Sequence, residues 1–401
     1  MKYLVILLSL FACAMTPPRP TPMTTPSANE EIIVGAARTK VYFIHLKNKR
    51  VAVVANATST IGTTHLVDSL LGAGINVVKV FAPEHGFRGN HGAGDKVNDE
   101  RDAKTGLPLV SLYGKNKKPS AEMLQDVDVI VFDIQDVGAR FYTYISTMHY
   151  VMEAANENGK ELIILDRPNP NGHYVDGPVL EKKFTSFVGM HPIPIVHGLT
   201  VGELALMIVG EKWIANSENL KLSVFPVVNY AHNDFYALPI APSPNLPTMS
   251  AIYAYPSLCL FEGTMVSVGR GTDKPFQCFG FPAHKNGIYS FTPQDISGVV
   301  NNPPYEGQLC QGHLVDTFSD YYFQNHGEIY LSWLISMYQD SGKGDAFFTE
   351  AAFFDKLAGT DKLRKDLLAG KNEDYIRKSW ESDLSAYKLL RKKYLLYTDF
   401  E

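Results

Sequence analysis

Four short clusters of polar residues carry whatever chemistry this chain performs. The first is Glu84, His85 and Arg88, in the glycine-spaced run PEHGFRG. The second is Asp133, Gln135 and Asp136, followed closely by Arg140 and Tyr142. The third is Asp166, Arg167 and Asn169, in DRPNPNG, and the fourth is Glu262, Arg270 and Asp273, in FEGTMVSVGRGTD. Carboxylates grouped in this way suit general acid–base or nucleophilic work, and guanidinium groups suit recognition of an anion. Glu262, between Phe261 and Gly263, reads either as a partly buried proton donor or as a hydrogen-bonded structural glutamate.

Three of the four clusters follow a buried, apolar run. Lys49 to Ala55 (KRVAVVA) ends in Asn56, Thr58 and Ser59, and Val77 to Ala82 stops at Pro83 before Glu84. Val127 to Phe132 (VDVIVF) runs into Asp133, and Glu161 to Leu165 into Asp166. Such runs read as strands of a parallel sheet. Helical patterns between them, at Thr63 to Leu71 and Phe141 to Asn156, complete βαβ units. Right-handed crossovers bring the four polar ends to one edge of the sheet, where open α/β sheets bind ligands. Leu107 to Leu112 is a further short strand, Ser120 to Gln125 a short helix, and Leu220 to Val228 an edge strand.

Thr200 reads as the N-cap of a helix over Val201 to Ile214, with Glu203 at the capping-box position, so Glu203 is expected to be structural. The second half opens with the rigid loop Pro242 to Pro247, which contains Asn245. Helices follow at Thr248 to Ala254, Glu328 to Gln339, Ala351 to Leu357 and Tyr375 to Tyr397. The fold expected is α/β: a Rossmann-like parallel-sheet domain over residues 30–225 and a C-terminal α+β domain over 226–401.

Missing motifs narrow the chemistry. There is no G-x-G-x-x-G, no G-x-x-x-x-G-K-[ST], no G-x-S-x-G and no H-E-x-x-H. These absences argue against dinucleotide, P-loop, serine-hydrolase and zinc-protease readings. A metal held by Glu84, His85 and Asp133 is the weaker alternative, and no metal or cofactor is expected. A formal net charge of −5 without a basic block excludes nucleic acid as a natural partner. Cys259, Cys278 and Cys310 have no C-x-x-C spacing and are expected to be free, buried thiols.

The first 29 residues read as a targeting segment. Lys2 is followed by an apolar stretch from Tyr3 to Ala12, too short to span a bilayer. Leu10-Phe11-Ala12-Cys13 has the form of a lipoprotein cleavage box, and Thr16 to Ser27 is a Pro/Thr-rich tether. Export is therefore expected, to the periplasm or as an envelope lipoprotein anchored through Cys13, with membrane contact only through that lipid.

Several runs together resemble the exo-β-N-acetylmuramidase family of bacterial peptidoglycan glycosidases, long known only as a domain of unknown function. They are PEHGFRG (83–89), TGLPLVSLYG (105–114), DIQDVGARFYTY (133–144), DRPNPNG (166–172), DGPVL (176–180), PIVHGLTVGELA (194–205), PSPNLPT (242–248) and FEGTMVSVGRGTDKPF (261–276). The final helix KSWESDLSAYKLLRKKYLLY matches as well. The sequence departs at Asp176, where Glu is expected, and at Asn171, which precedes one glycine where two are expected.

The resemblance implies release of N-acetylmuramic acid from the non-reducing end of peptidoglycan fragments, in cell-wall turnover, and a Rossmann-like domain joined to a smaller C-terminal domain with the active site in the cleft between them. Glycoside hydrolysis needs a proton donor and a second group at the anomeric carbon. Glu84 is the first choice for the acid. Glu262 and Asp136 compete for the second role, with Asp133 and Asp176 behind them, and the sugar's own 2-acetamido group can replace it. Arg88, Arg140, Arg167 and Arg270 are candidates for the lactyl carboxylate, and Tyr142 for stacking on the ring. His85, Gln135, Asn169, Asn245 and Asp273 complete the expected substrate contacts. The rival reading is a tethered solute-binding lipoprotein that recognises a sugar or muropeptide without turnover.

Overall fold

The computed structural model describes residues 30–84, 86–88, 100–114 and 116–401. The strands are β1 (Val51–Ala55), β2 (Thr60–Ile61), β3 (Thr64–His65), β4 (Val77–Ala82), β5 (Glu100–Arg101) and β6 (Pro108–Ser111). They continue with β7 (Val129–Asp133), β8 (Glu161–Leu165), β9 (Lys221–Phe225), β10 (Cys278–Phe281), β11 (Tyr289–Phe291) and β12 (Cys310–Leu314). The helices flanking the large sheet are α1 (Thr39–Leu46), α2 (Leu66–Gly72), α3 (Tyr144–Glu157) and α4 (Val201–Gly210). The C-terminal helices are α5 (Met249–Leu258), α6 (Asp316–Asn325), α7 (Leu331–Ser341), α8 (Ala351–Ala358), α9 (Lys362–Leu368) and α10 (Glu373–Arg391).

Seven strands form the large sheet in the order β5-β6-β4-β1-β7-β8-β9. All pairings are parallel except that of β5 with β6 at one edge. Side chains alternate across a strand, so both faces of a central strand must be apolar to be covered by helices. In β1, Val51, Val53 and Ala55 pack with Tyr42, Leu46, Leu66 and Leu70 of α1 and α2. Ala52 and Val54 turn the other way, into a cluster with Met148 and Met152 of α3 and Leu204 and Ile208 of α4. That second cluster continues without a break into Leu258, Phe261, Phe279, Phe354 and Trp380, so the C-terminal domain shares one core with the α3–α4 face. The Rossmann-like sheet domain and a smaller C-terminal domain, with an antiparallel sheet β10-β12-β11 among helices, are thus the observed architecture.

Three helices start later than their sequence pattern predicts: the one expected from Glu328 begins at Leu331, and two others have a local cause. The expected helix from Thr63 begins at Leu66, because β2 and β3 pair as a hairpin around Gly62, which has φ +57°. His65 then caps α2 by accepting from Val67 N at 3.2 Å. The expected helix from Phe141 begins at Tyr144, because Ala139 bridges Val196 and Arg140 N donates to Ile195 O at 2.8 Å. The Thr200–Glu203 capping box is present as expected, and Cys259, Cys278 and Cys310 are free and buried. No described helix is long and apolar enough to cross a membrane.

Candidate active site

The parallel topology does bring the polar ends of β1, β4, β7 and β8 to one edge. Most of them hold one another. Asp133 is fully buried and is gripped by Arg167, with Nε at 2.6 Å from Oδ1 and Nη2 at 2.9 Å from Oδ2. Ser59 Oγ donates to the Asp133 carbonyl. Thr58 Oγ1 donates to Asn56 Oδ1 at 2.6 Å and accepts from Gln135 N at 3.1 Å. Gln135 Nε2 donates to the carbonyls of Asp136 and Pro168 at 2.8 and 2.7 Å. Asn169 Nδ2 donates to Leu199 O at 2.9 Å, and its Oδ1 accepts from Asn171 N at 2.8 Å. Polar groups this deeply buried must be paired, and here their partners are each other.

Glu84 is the exception. The rigid stop at Pro83 places it half-buried on the lining of a pocket that opens to solvent. The other walls come from three segments: Phe141 to Tyr144 at the start of α3, Ser243 to Leu246 of the proline-rich loop, and Tyr255, Arg270 and Phe276 of the C-terminal domain. The pocket therefore lies between the two domains. Thr143 Oγ1 is 3.4 Å from Glu84 Oε2, and the Tyr113 phenol lies near the same carboxylate. Burial, with the Glu84 charge beside it, pushes the Tyr113 phenol up, so it remains a donor at neutral pH. No cationic side chain forms an ion pair with Glu84 among the described residues.

The walls are built edge to face. Phe141 meets Tyr255 at 5.3 Å between centroids, Tyr255 meets Phe276 at 5.0 Å, and Tyr142 meets Tyr144 at 4.9 Å. Tyr142 donates its hydroxyl to Pro242 O at 2.8 Å, which ties the proline-rich loop to the start of α3. Asn245 is held by Nδ2 donating to Val299 O at 3.2 Å, while its buried Oδ1 has no hydrogen-bond partner. An acceptor left open in this way is available to a ligand N–H or O–H.

Of the residues singled out from the sequence, the pocket thus gathers Glu84, Tyr142, Asn245 and Arg270. The others lie elsewhere. Arg88 forms a fork with Asp102, at 2.8 Å for both contacts, and reaches Asp68 at 3.1 Å, so it braces its own loop. Arg140 is completely buried between the domains, donating to the carbonyls of Pro178, Ile193 and Leu357. Burial pushes its guanidinium down to about 9. Asp176 accepts from Ile329 N at 2.7 Å and pairs with Arg377 at 3.1 Å, which also fastens the two domains together. Asp136 caps Gly138 N at 2.7 Å and leaves Oδ1 without a partner; His197 Nε2, at 3.8 Å from Oδ2, is too far for a hydrogen bond. Glu262 sits behind the wall and pairs with Arg270. Asp273 is exposed and off the pocket. His85 lies outside the described residues.

Phe141, Thr143, Tyr144, Tyr255 and Phe276 were not singled out from the sequence. The only signal for them is the FYTY run straddling the start of α3, and aromatic residues are more often core than site. Among the described residues no group of three or more His, Cys, Asp or Glu is placed to hold a metal ion.

The comparisons with known proteins agree over most of the chain. Residues 51–250 match the family model described as "Exo-beta-N-acetylmuramidase NamZ, N-terminal", and residues 253–397 match its C-terminal counterpart. The chain is 40% identical over 375 residues to the peptidoglycan β-N-acetylmuramidase NamZ of Bacillus subtilis, covering 89% of each protein. Two crystal structures of DUF1343 family proteins from Bacteroides fragilis share the fold. One has a TM-score of 0.85 and 49% identity, covering 92% of this chain and 100% of the other. The second has a TM-score of 0.77 and 31% identity, covering 92% and 99%. With both halves of its sequence matched in order, the chain belongs to the exo-β-N-acetylmuramidase family.

Proposed function

We propose that this chain is an exo-acting glycoside hydrolase that releases N-acetylmuramic acid from the non-reducing end of peptidoglycan fragments, in cell-wall turnover. The activity of the B. subtilis relative supports the β-N-acetylmuramidase reading. The observation that carries it in this chain is Glu84: a carboxyl group on the lining of an aromatic-walled pocket, with the Thr143 hydroxyl at 3.4 Å and no cationic partner among the described residues.

Among the described residues, Glu84 is the only carboxylate in the pocket lining. A two-carboxylate scheme needs the groups about 5–10 Å apart across the scissile bond, yet neither Asp136 nor Glu262 lines the pocket, and Glu262 is held by Arg270. The reading that follows is substrate assistance. Glu84 gives its proton to the glycosidic oxygen as the bond to the anomeric carbon breaks. The 2-acetamido carbonyl oxygen bonds to that carbon from the opposite face. Water, losing a proton to Glu84, then opens the cyclic intermediate.

Two substrates test the acid. In the Glu84→Gln variant, kcat/KM for the natural disaccharide should fall about 10²–10⁴-fold. For the 4-nitrophenyl β-muraminide, whose leaving group needs little protonation, it should fall much less. Equal losses on both would remove Glu84 from the acid role. Export and acylation at Cys13 form part of the same proposal. Cys13→Ser should move the protein from the membrane to the soluble fraction, and an unchanged distribution would exclude the lipid anchor.

A further inference from the structure

Four arginines in the recognised motifs had equal claims on an anion, and their partners separate them. Arg88 and Arg167 are each forked onto carboxylates, and Arg140 is spent on three carbonyls. Arg270 stands apart. It lines the pocket, its Nε donates to Glu262 Oε1 at 2.6 Å, and its guanidinium carbon stands 4.9 Å from the centroid of the Phe276 ring. Its Nη1 and Nη2 have no hydrogen-bond partner among the described residues. A guanidinium has five N–H donors, and its end-on Nη pair can meet a carboxylate through two parallel bonds, as the Nε and Nη2 of Arg167 meet Asp133.

Glu262 has the complementary position. It is not part of the pocket lining. One oxygen takes Arg270 Nε, and the other lies 3.4 Å from Cys259 Sγ. We propose that Arg270 is the specificity determinant that reads the lactyl carboxylate of muramic acid, and that Glu262 is its positioning residue and not the second catalytic carboxylate. This rests on the muramidase reading above and names the group that separates muramic acid from glucosamine.

A physical argument supports the pairing. Burial works against the Arg270 charge, and the charge and hydrogen bond of Glu262 outweigh it, so the guanidinium stays ionised in a pocket walled by rings.

The test compares N-acetylmuramic acid with its neutral methyl ester as competitive inhibitors of disaccharide hydrolysis. Wild type should prefer the acid by on the order of 10–100-fold, the span of a charge-assisted hydrogen-bonded pair. In Arg270→Met the preference should fall to about one. Arg270→Lys, which keeps charge but loses the fork, should recover only part of it and guards against a folding defect. Glu262→Gln, whose amide oxygen still accepts from Nε, should cost about tenfold or less and mainly in KM, whereas Glu262→Ala should weaken the acid preference. A loss in Glu262→Gln of about 10³-fold or more, carried in kcat, would make Glu262 a reacting group and overturn the assignment. An acid preference that survives in Arg270→Met would do the same. Wild type that neither hydrolyses the disaccharide nor binds the acid would instead sink the muramidase reading itself.

Discussion

Asp133 and Arg167 give the sharpest separation of structure from chemistry at the strand ends. Both side chains are almost wholly buried, at 0% and 3% exposure, and they meet through two short parallel bonds. Removing one partner of such a pair leaves an uncompensated charge in the interior and costs about 3–5 kcal/mol. Asp133→Asn should fall at the lower end, because Arg167 keeps the Thr60 carbonyl at 3.0 Å and gains an amide oxygen. Arg167→Met should fall at the upper end, because the Asp133 carboxylate is left with no other side-chain donor among the described residues. Either loss is a large share of a total stability of about 5–15 kcal/mol. Replacing both together, as Asp133→Leu with Arg167→Met, should recover most of it, since no buried charge remains. Urea unfolding midpoints for the three variants, with disaccharide turnover measured well below each transition, make the test. If Asp133→Asn unfolds like wild type but has lost turnover, Asp133 is a reacting group and the reasoning fails. It also fails if the double variant is no more stable than the singles.

Asp166 offers a pH-dependent counterpart. Burial pushes its carboxyl up to about 6 from the ordinary 3.8, against the hydrogen bonds from Tyr397 and Thr200. The fold therefore favours the protonated form, and the stability this group supplies is complete below about pH 4 and lost as pH rises through about 6. The loss amounts to roughly 3 kcal/mol at neutral pH. The stability difference between Asp166→Asn and wild type should shift toward the variant by up to that amount between pH 4 and 7; a difference flat with pH would refute it. Gly138 has φ +78°, and a Cβ there would stand 2.1 Å from Asn169 Oδ1. Gly138→Ala should thus destabilise by about 1–3 kcal/mol through backbone strain and the clash. An unchanged thermal midpoint would show that the loop holding Asp136 and Asn169 can yield.

Much of the fold is legible because its strands are buried on both faces. Val51–Ala55, Val77–Ala82 and Val129–Asp133 read as apolar runs closed by turn residues, and each is a strand of the large sheet. The antiparallel sheet of the C-terminal domain is not legible, for a physical reason. Its strands CFGF, YSF and CQGHL are short and carry glycine where chains press together, as at Gly312, where a Cβ would stand 1.9 Å from Phe279 O. Neither alternation nor β-branching survives under that constraint. The aromatic pocket walls are hidden for another reason: Phe141, Tyr255 and Phe276 are far apart in sequence, and their edge-to-face contacts exist only after folding.

The strand-end residues show where a sequence argument needs space to finish. Polar side chains at one edge of a parallel sheet face two demands, to bind a ligand and to satisfy the backbone that the strands leave unpaired as they end. Asn56, Thr58, Gln135 and Asn169 meet the second demand, bonding to one another or to carbonyls of neighbouring loops. Residue type does not separate the two uses, because an amide or guanidinium that can hold a sugar can equally hold a turn. What separates them is whether a partner is already within reach. Among the described residues, Glu84 without a cation, Asn245 Oδ1 without a donor and the Nη pair of Arg270 without an acceptor are left over on the pocket lining. One proton source, one acceptor and one fork converging on a single pocket are the complement that an acidic N-acetylated sugar presents.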